Sequence, residues 1–206
     1  MRKKKEDGDA IPEQYKGNKL NVEYTVIASS IKEAVVIFSE SVKRMLYVNG
    51  WQELSNSLLS HFQLTDEKGN ELDRSAKEGD LFKIDIPGPG NEAGDGFDWV
   101  RVEVIIFKIN RVAMRVRPVV SPTHPKNGTA HFFTRDATST FQIFRRGRIV
   151  TAGVYSRNEI PNTDASDVIE KIRNTAVAIG AIAGASRVQW ESLVHGFVHG
   201  KEVEAH

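Results

Sequence analysis

The sequence predicts an α+β domain: a curved, mostly antiparallel sheet of about six to seven strands with a long C-terminal helix packed on it. Three observations predict this fold. Segments in which apolar and polar residues alternate, as they do in strands, follow one another from residue 63 to residue 157. Short turns join several of these segments, which is typical of antiparallel hairpins. Helical repeats of apolar residues lie before and after these segments rather than between them.

The first strand and two helices precede the main run of strands. Residues Leu20–Ala28 alternate in polarity and predict a strand. Ser30 and Glu33 form a capping box, which predicts the start of a helix. One apolar stripe follows at helical spacing: Ile31, Ala34, Val35, Phe38, Val42, Met45 and Leu46. Apolar residues at similar spacing predict a second, short helix from residue 51 to residue 62.

Two strands on either side of a loop rich in Gly, Pro and Asp form the centre of the predicted sheet. The first strand ends at Pro87, which has no N–H for the strand ladder. The alternation resumes at Asp98 and continues to Phe107. Hairpin turns are predicted at Lys108–Arg111 and around Gly147. The loop contains neither GxxxxGK[ST] nor GxGxxG, so its glycines do not indicate a phosphate site.

The last helix is predicted from Asp164 to Val198, a length of about 50 Å at 1.5 Å per residue. Its middle is rich in Ala and Gly, which suits close packing against the sheet or another helix. Over residues 20–198, this order of elements resembles that of START-like and Bet v 1-like domains. The resemblance implies a ligand cavity between the helix and the sheet.

Composition separates the chain into three predicted segments. Residues 1–17 are highly charged and predict a disordered tail. Residues 18–199 form a single α+β domain, and residues 200–206 form a C-terminal tail.

Charge and cysteine content narrow the function. The formal net charge of +1 gives no general attraction to nucleic acid or acidic membranes, which would need a local basic patch. The chain has no cysteine, so disulfides, thiolate metal sites and a cysteine nucleophile are excluded. No apolar run approaches the length of about 20 residues that spans a bilayer, and the N-terminus lacks a signal peptide. The sequence therefore predicts a cytoplasmic protein with neither a membrane nor a nucleic-acid partner.

The leading hypothesis is a non-enzymatic binding module that holds a small, partly apolar ligand between sheet and C-terminal helix, with no cofactor and no metal. Aromatic residues are candidates for apolar walls: Trp99, Phe107, Phe133, Phe141 and Tyr155. Arginines are candidates for polar anchors because a guanidinium binds carboxylate or phosphate bidentately: Arg101, Arg115 and Arg157. Acidic residues near the central loop and one histidine complete the candidate set: Asp95, Asp98, Glu103 and His131.

Two alternatives remain open. The first is an interaction or assembly protein, a homo-oligomer that uses the Ala/Gly-rich helix. The second is a hydrolase-type enzyme that uses His131 or the carboxylates of Asp95, Asp98 and Glu103. A further set of residues would form a basic patch if their strands were neighbours: Arg111, Arg115, Arg117, Arg145, Arg146 and Arg148. This set has no aromatic partners for base stacking, which argues against a nucleic-acid module.

Overall fold

A computed structural model describes the chain in five ranges, namely residues 10–55, 61–85, 94–125, 128–161 and 187–200. Within them, seven strands form one antiparallel sheet in the order β1-β7-β6-β5-β4-β3-β2. The strands are β1 (Asn18–Ile27), β2 (His61–Thr65), β3 (Leu81–Asp85), β4 (Asp98–Lys108), β5 (Arg111–Pro118), β6 (Thr138–Arg146) and β7 (Ile149–Glu159). The predicted α+β fold with a mostly antiparallel sheet and a C-terminal helix is confirmed.

The described helices are α1 (Ile31–Leu46), α2 (Trp51–Leu54) and α3 (residues 187–199). The hydroxyl of Ser30 accepts a hydrogen bond of 3.1 Å from the backbone N–H of Glu33, as the capping box predicts. The second helix is shorter than predicted, since it ends at Leu54 and residue 62 already lies in β2. The first part of the predicted C-terminal helix, together with its Ala/Gly-rich middle, lies in residues 162–186, outside the described ranges.

The helices cover one face of the sheet, the helix-facing face, and Trp51 is at the centre of its core. The Trp51 ring is fully buried and lies 4.5 Å from the Phe141 ring, centroid to centroid. It also meets Phe62 and Phe82 from the sheet and Phe197 from α3, at 5.2 to 5.8 Å. Its indole N–H points to the carbonyls of Arg44 and Met45, at 3.2 and 3.1 Å. An aromatic cluster therefore fills the space between sheet and α3 at this point.

Residues 10–17 pack against the opposite face of the sheet, the outer face. The carbonyl of Ala10 accepts hydrogen bonds from Arg115 and from Thr140, both at 3.2 Å. The side chain of Asn158 accepts from the backbone N–H groups of Tyr15 and Lys16, at 2.9 and 3.2 Å. Backbone groups satisfied in this way belong to ordered structure. The prediction of a disordered tail is therefore wrong for residues 10–17, while residues 1–9 lie outside the described ranges.

Candidate functional site

Glu103 and Arg115, two residues of the predicted site, meet on the outer face. A bulge in β4 between Val102 and Val104 leaves Glu103 as an extra residue in the ladder. Its carboxylate accepts from Arg115 at 2.8 Å and forms a short ion pair with Arg117. Burial alone would raise the pKa of Glu103, but the two guanidinium groups outweigh it and hold the pKa below its usual value. Arg115 is therefore paired within the protein rather than available to anchor a ligand.

One predicted wall residue, Tyr155, and two predicted anchors, Arg101 and Arg157, lie on the same outer face. The hydroxyl of Tyr155 donates to Glu23 at 2.6 Å, and burial followed by this hydrogen bond raises the pKa of Tyr155. Arg157 donates to the side chain of Asn21 at 2.7 Å. Arg101 is exposed, and in the β4–β5 ladder it lies opposite a second arginine. None of these side chains lies on the face that α3 covers, where the predicted ligand would be held.

Asp98 and His131 come together at the end of the sheet where β4 begins. The carboxylate of Asp98 accepts from the N–H of Phe132 at 3.0 Å and lies 3.8 Å from Nε2 of His131. Nδ1 of His131 accepts from the N–H of Phe133 at 2.9 Å, so a neutral ring carries its proton on Nε2. Burial lowers the pKa of His131, and the charge of Asp98 only partly opposes this. The pair is a neutral imidazole facing a carboxylate within folded loops.

Asp95 and Trp99 lie close to this pair in the chain but have different surroundings. Asp95 is exposed, has a φ of 55°, and its carboxylate lies 2.9 Å from Nδ1 of His124. Trp99 is buried in a small second core with Leu81 and Ala130, and its indole N–H points to the carbonyl of Gly94 at 3.3 Å. The indole is thus a structural support for the loop rather than an open wall.

Three aromatic candidates remain, and they differ in exposure. Phe133 is half-buried, and its ring lies 5.9 Å from that of His131. Phe141 faces α3, where its ring lies 5.6 Å from that of Trp190, but it is buried against Trp51 and leaves no open surface for a ligand. Phe107 lies near the turn between β4 and β5 and is 65% exposed. The twelve candidates therefore do not form one site: they are divided among the outer face, the loops, the core and a hairpin.

Two grooves lie instead along the seam where the edge strand β1 meets the helices. The larger one, of about 470 Å³, is bordered by the end of β1, by α1 and by the end of α3. Five of its seven lining residues are apolar, and the other two carry a carboxylate and an imidazole: Val26, Ile27, Ala28, Glu33, Ile37, Val198 and His199. The smaller one, of about 320 Å³, lies between residues 21–24 of β1 and residues 187–194 of α3. We call these the α1 groove and the α3 groove.

A Tyr–His cluster separates the two grooves along the seam. The ring of Tyr24 lies 4.7 Å from that of His195 and 5.5 Å from that of His199. The hydroxyl of Tyr24 lies 3.2 Å from Nε2 of His199, which is within hydrogen-bonding distance. Glu191, one turn before His195, pairs with Arg187 at 2.9 Å. Among the described residues, no three His, Asp or Glu side chains are grouped as metal ligands would be.

Sequence reasoning missed the groove residues because they lie at the margins of otherwise regular patterns. Val26 belongs to the predicted alternation of β1, but Ile37 falls outside the apolar stripe proposed for α1. Residues Ile31 and Val35 of that stripe are exposed, so the buried side of α1 is rotated relative to the prediction. An apolar residue next to the apolar stripe of a helix, such as Ile37, is the sequence signal for a half-buried wall of a groove.

Comparison with known proteins identifies the fold. A hypothetical protein from Helicobacter pylori has a similar structure over 87% of this chain and 87% of its own, at 11% identity and a TM-score of 0.52. A START superfamily protein from Mycobacterium smegmatis aligns over 86% of this chain and 99% of its own, at 12% identity and a TM-score of 0.37. The major latex-like protein 151 of Panax ginseng aligns over 80% and 97%, at 11% identity and a TM-score of 0.37.

These likenesses concern the fold alone. No protein-family model and no curated protein matches the chain. Within the described ranges, no helix has the length and apolar character needed to cross a bilayer.

Proposed function

We propose that the protein is a non-enzymatic binding module for a small, partly apolar molecule held at the seam between the sheet and the C-terminal helix. The observation that carries this proposal is the α1 groove. Its volume of about 470 Å³ falls in the range of about 300 to 1,000 Å³ that is usual for small-molecule sites. Aliphatic walls with a few polar groups are also typical of such sites.

The polar groups of the groove suggest which molecules fit it. Glu33 and His199 are the polar side chains of its lining, and the aliphatic residues form the rest. The carboxylate of Glu33 is already bonded to the N–H of Ser29 at 2.6 Å, which fixes its position. A ligand with an apolar body and one hydrogen-bonding group would match this arrangement, since the body contacts the walls and the polar group meets Glu33 or His199.

Native mass spectrometry of protein purified from its own host tests the proposal. We expect a mass excess that is lost on denaturation and that identifies the ligand class. Val26→Trp should fill the groove from β1 and remove the excess. Thr25→Trp is the matched control, because Thr25 is the neighbouring residue on the outer face, where its hydroxyl meets that of Thr151 at 2.8 Å. Equal loss in both variants, or no ligand in the unaltered protein, would contradict a site in this groove.

The hydrolase alternative retains one supporting observation, the 3.8 Å approach of His131 to Asp98. Its other proposed carboxylates lie elsewhere: Glu103 is paired with arginines on the outer face, and Asp95 is exposed beside His124. The assembly alternative stays a prediction, because the Ala/Gly-rich part of its helix lies outside the described ranges.

A further inference from the structure

One end of the sheet, the hairpin end, brings together two turns and the start of α1. The turn between β4 and β5 touches β6, since the N–H of Arg145 donates to the carbonyl of Asn110 at 2.9 Å. The turn between β6 and β7 contacts the segment that leads into α1, since Arg148 donates to the carbonyl of Ser29 at 3.3 Å. Ile27, the last residue of β1, pairs with the first residue of β7. These segments therefore form one continuous surface.

Large apolar side chains project from the hairpin end. Their exposed fractions are 93% for Ile109, 70% for Ile27, 65% for Phe107, 61% for Ile31 and 40% for Ile149. A single exposed apolar residue needs no explanation, but a group of them on one surface marks an interaction site. Ile109 is at the tip of its turn, so this surface protrudes rather than forming a pocket.

Basic residues lie among these apolar side chains: Lys32, Lys108, Arg145, Arg146 and Arg148. Arg145 is held in place by the carbonyl of Gly147 at 2.9 Å, whereas Arg146 and Arg148 are exposed. Two acidic side chains lie nearby, and the five basic residues outnumber them: Glu33, which accepts from the N–H of Ser29 at 2.6 Å, and Glu78, which accepts from the N–H of Ile105 at 2.7 Å. The surface therefore carries a local positive charge, although the whole chain has a formal net charge of only +1.

We propose that the hairpin end docks on an anionic lipid surface. Protruding aliphatic and aromatic side chains surrounded by Lys and Arg match the two layers of such a surface, acyl chains below and negative headgroups above. A nucleic acid would use aromatic platforms for base stacking, but four of the five exposed apolar residues here are isoleucines. The inference goes beyond the proposed ligand site and does not depend on it, although the α1 groove reaches this end at Ile27 and Ala28.

Flotation with phospholipid vesicles tests the docking surface. Vesicles of phosphatidylcholine with phosphatidylserine should carry the protein, and vesicles of phosphatidylcholine alone should carry much less. Arg146→Glu with Arg148→Glu should weaken binding at least tenfold, because each basic residue near an anionic surface contributes about fivefold. Added salt should weaken the binding of the unaltered protein as well.

Ile109→Asp removes the apolar tip without changing any basic residue, and we expect it to lower the bound fraction about tenfold. Two variants serve as matched controls: Val188→Asp, on the exposed side of α3, and Lys68→Glu, in the turn after β2. Both should bind as the unaltered protein does. Equal binding by all variants, or no preference for anionic vesicles, would overturn the proposal. Retention on single-stranded RNA without vesicle binding would overturn it in favour of a nucleic acid.

Site-specific labelling gives a second test that does not depend on the arginine variants folding. Because the chain has no cysteine, Ile109→Cys provides a unique attachment point for an environment-sensitive fluorophore. The label at residue 109 should shift its emission to the blue on addition of anionic vesicles, as it enters the apolar layer. A label attached through Lys68→Cys should not shift. No shift at residue 109, or equal shifts at both positions, would overturn the proposal.

Discussion

The two faces of the sheet are stabilised by different kinds of interaction. The helix-facing face is apolar and is covered by aromatic rings around Trp51, which bury nearly all of their surface. The outer face carries the Glu103–Arg115–Arg117 cluster and is partly covered by residues 10–17 through hydrogen bonds. Each face is occupied by the protein's own groups, one by close packing and the other by ion pairs. The two grooves lie outside these two regions, at the margin between sheet and helices.

Replacing Trp51 should have the largest effect, because it tests the packed face at its centre. Trp51→Ala removes a fully buried ring and should lower the free energy of unfolding by about 4 kcal/mol. Trp51→Phe keeps part of the ring contacts but loses the N–H that points to two carbonyls, so it should cost about half as much. Urea unfolding measures both. A loss below about 1 kcal/mol for the alanine variant would show that this face is not the main core.

Glu103→Gln tests the charged face in the same assay. The change keeps the shape of the side chain but leaves Arg115 and Arg117 half-buried without a carboxylate, which should cost about 2.5 kcal/mol. Glu40→Gln is the matched control: Glu40 forms an exposed pair with Lys43 at 2.7 Å, and solvent screens such a pair. Equal losses in the two variants would mean that the outer-face cluster adds no more than a surface ion pair.

Elements with a strong local signal were predicted correctly from the sequence. The alternation of β1 and β4, the hairpin turns at 109–110 and 147–148, and the capping of α1 each depend on neighbouring residues alone. Two regions do not follow their local pattern. Residues 10–17 are polar and become ordered only through distant partners such as Asn158. Residues 129–134, which resemble a strand, form only isolated bridges through Thr129 and Phe133.

The candidate site was harder to predict because it depends on which face of each strand is covered. A period of two already places Tyr155 and Arg157 opposite the buried Val154, so these two residues were assigned to the wrong side. The α1 groove has no comparable local signal. It forms where residues near 26, 37 and 198 meet, and their sequence separation hides the contact. The predicted basic patch is only partly present. Arg145 and Arg148 lie at the hairpin end, whereas Arg115 pairs with Glu103 on the outer face.

Asn158 offers a finer test of the outer face, because it holds residues 10–17 against the sheet. Its side chain bonds three backbone groups, and its backbone has a φ of 57°. Asn158→Gly keeps that conformation accessible and should cost about 1 kcal/mol for the lost hydrogen bonds. Asn158→Ala should cost up to about 1 kcal/mol more, from the strain at positive φ. Proteolysis should cut near residue 15 faster in both variants, and unchanged cutting would show that other contacts hold the segment.

The pH dependence of stability separates the polar site at the start of β4 from the charged cluster on the outer face. Burial holds the folded pKa of His131 below its ordinary value of 6.5, so the unfolded state binds more protons as the pH falls below 6.5. The stability linked to His131 is therefore complete above that pH and is lost below it, at a slope of at most about 1.4 kcal/mol per pH unit. Glu103 has a lowered pKa and an ordinary value of 4.5, so its contribution is lost only at more acidic pH.

Urea unfolding at intervals from about pH 7.5 to about pH 5.5 measures the His131 contribution, because Glu103, with its lowered pKa, titrates at more acidic pH. His131→Asn is the matched variant, because its amide oxygen can replace Nδ1 as the acceptor for the N–H of Phe133 and it does not titrate. In the unaltered protein the free energy of unfolding should fall as the pH falls. We expect this slope to be smaller in His131→Asn and unchanged in Glu103→Gln. If the slope remained in His131→Asn, another group would be responsible for the stability lost as the pH falls. The imidazole facing Asp98 would then be charged in the folded protein.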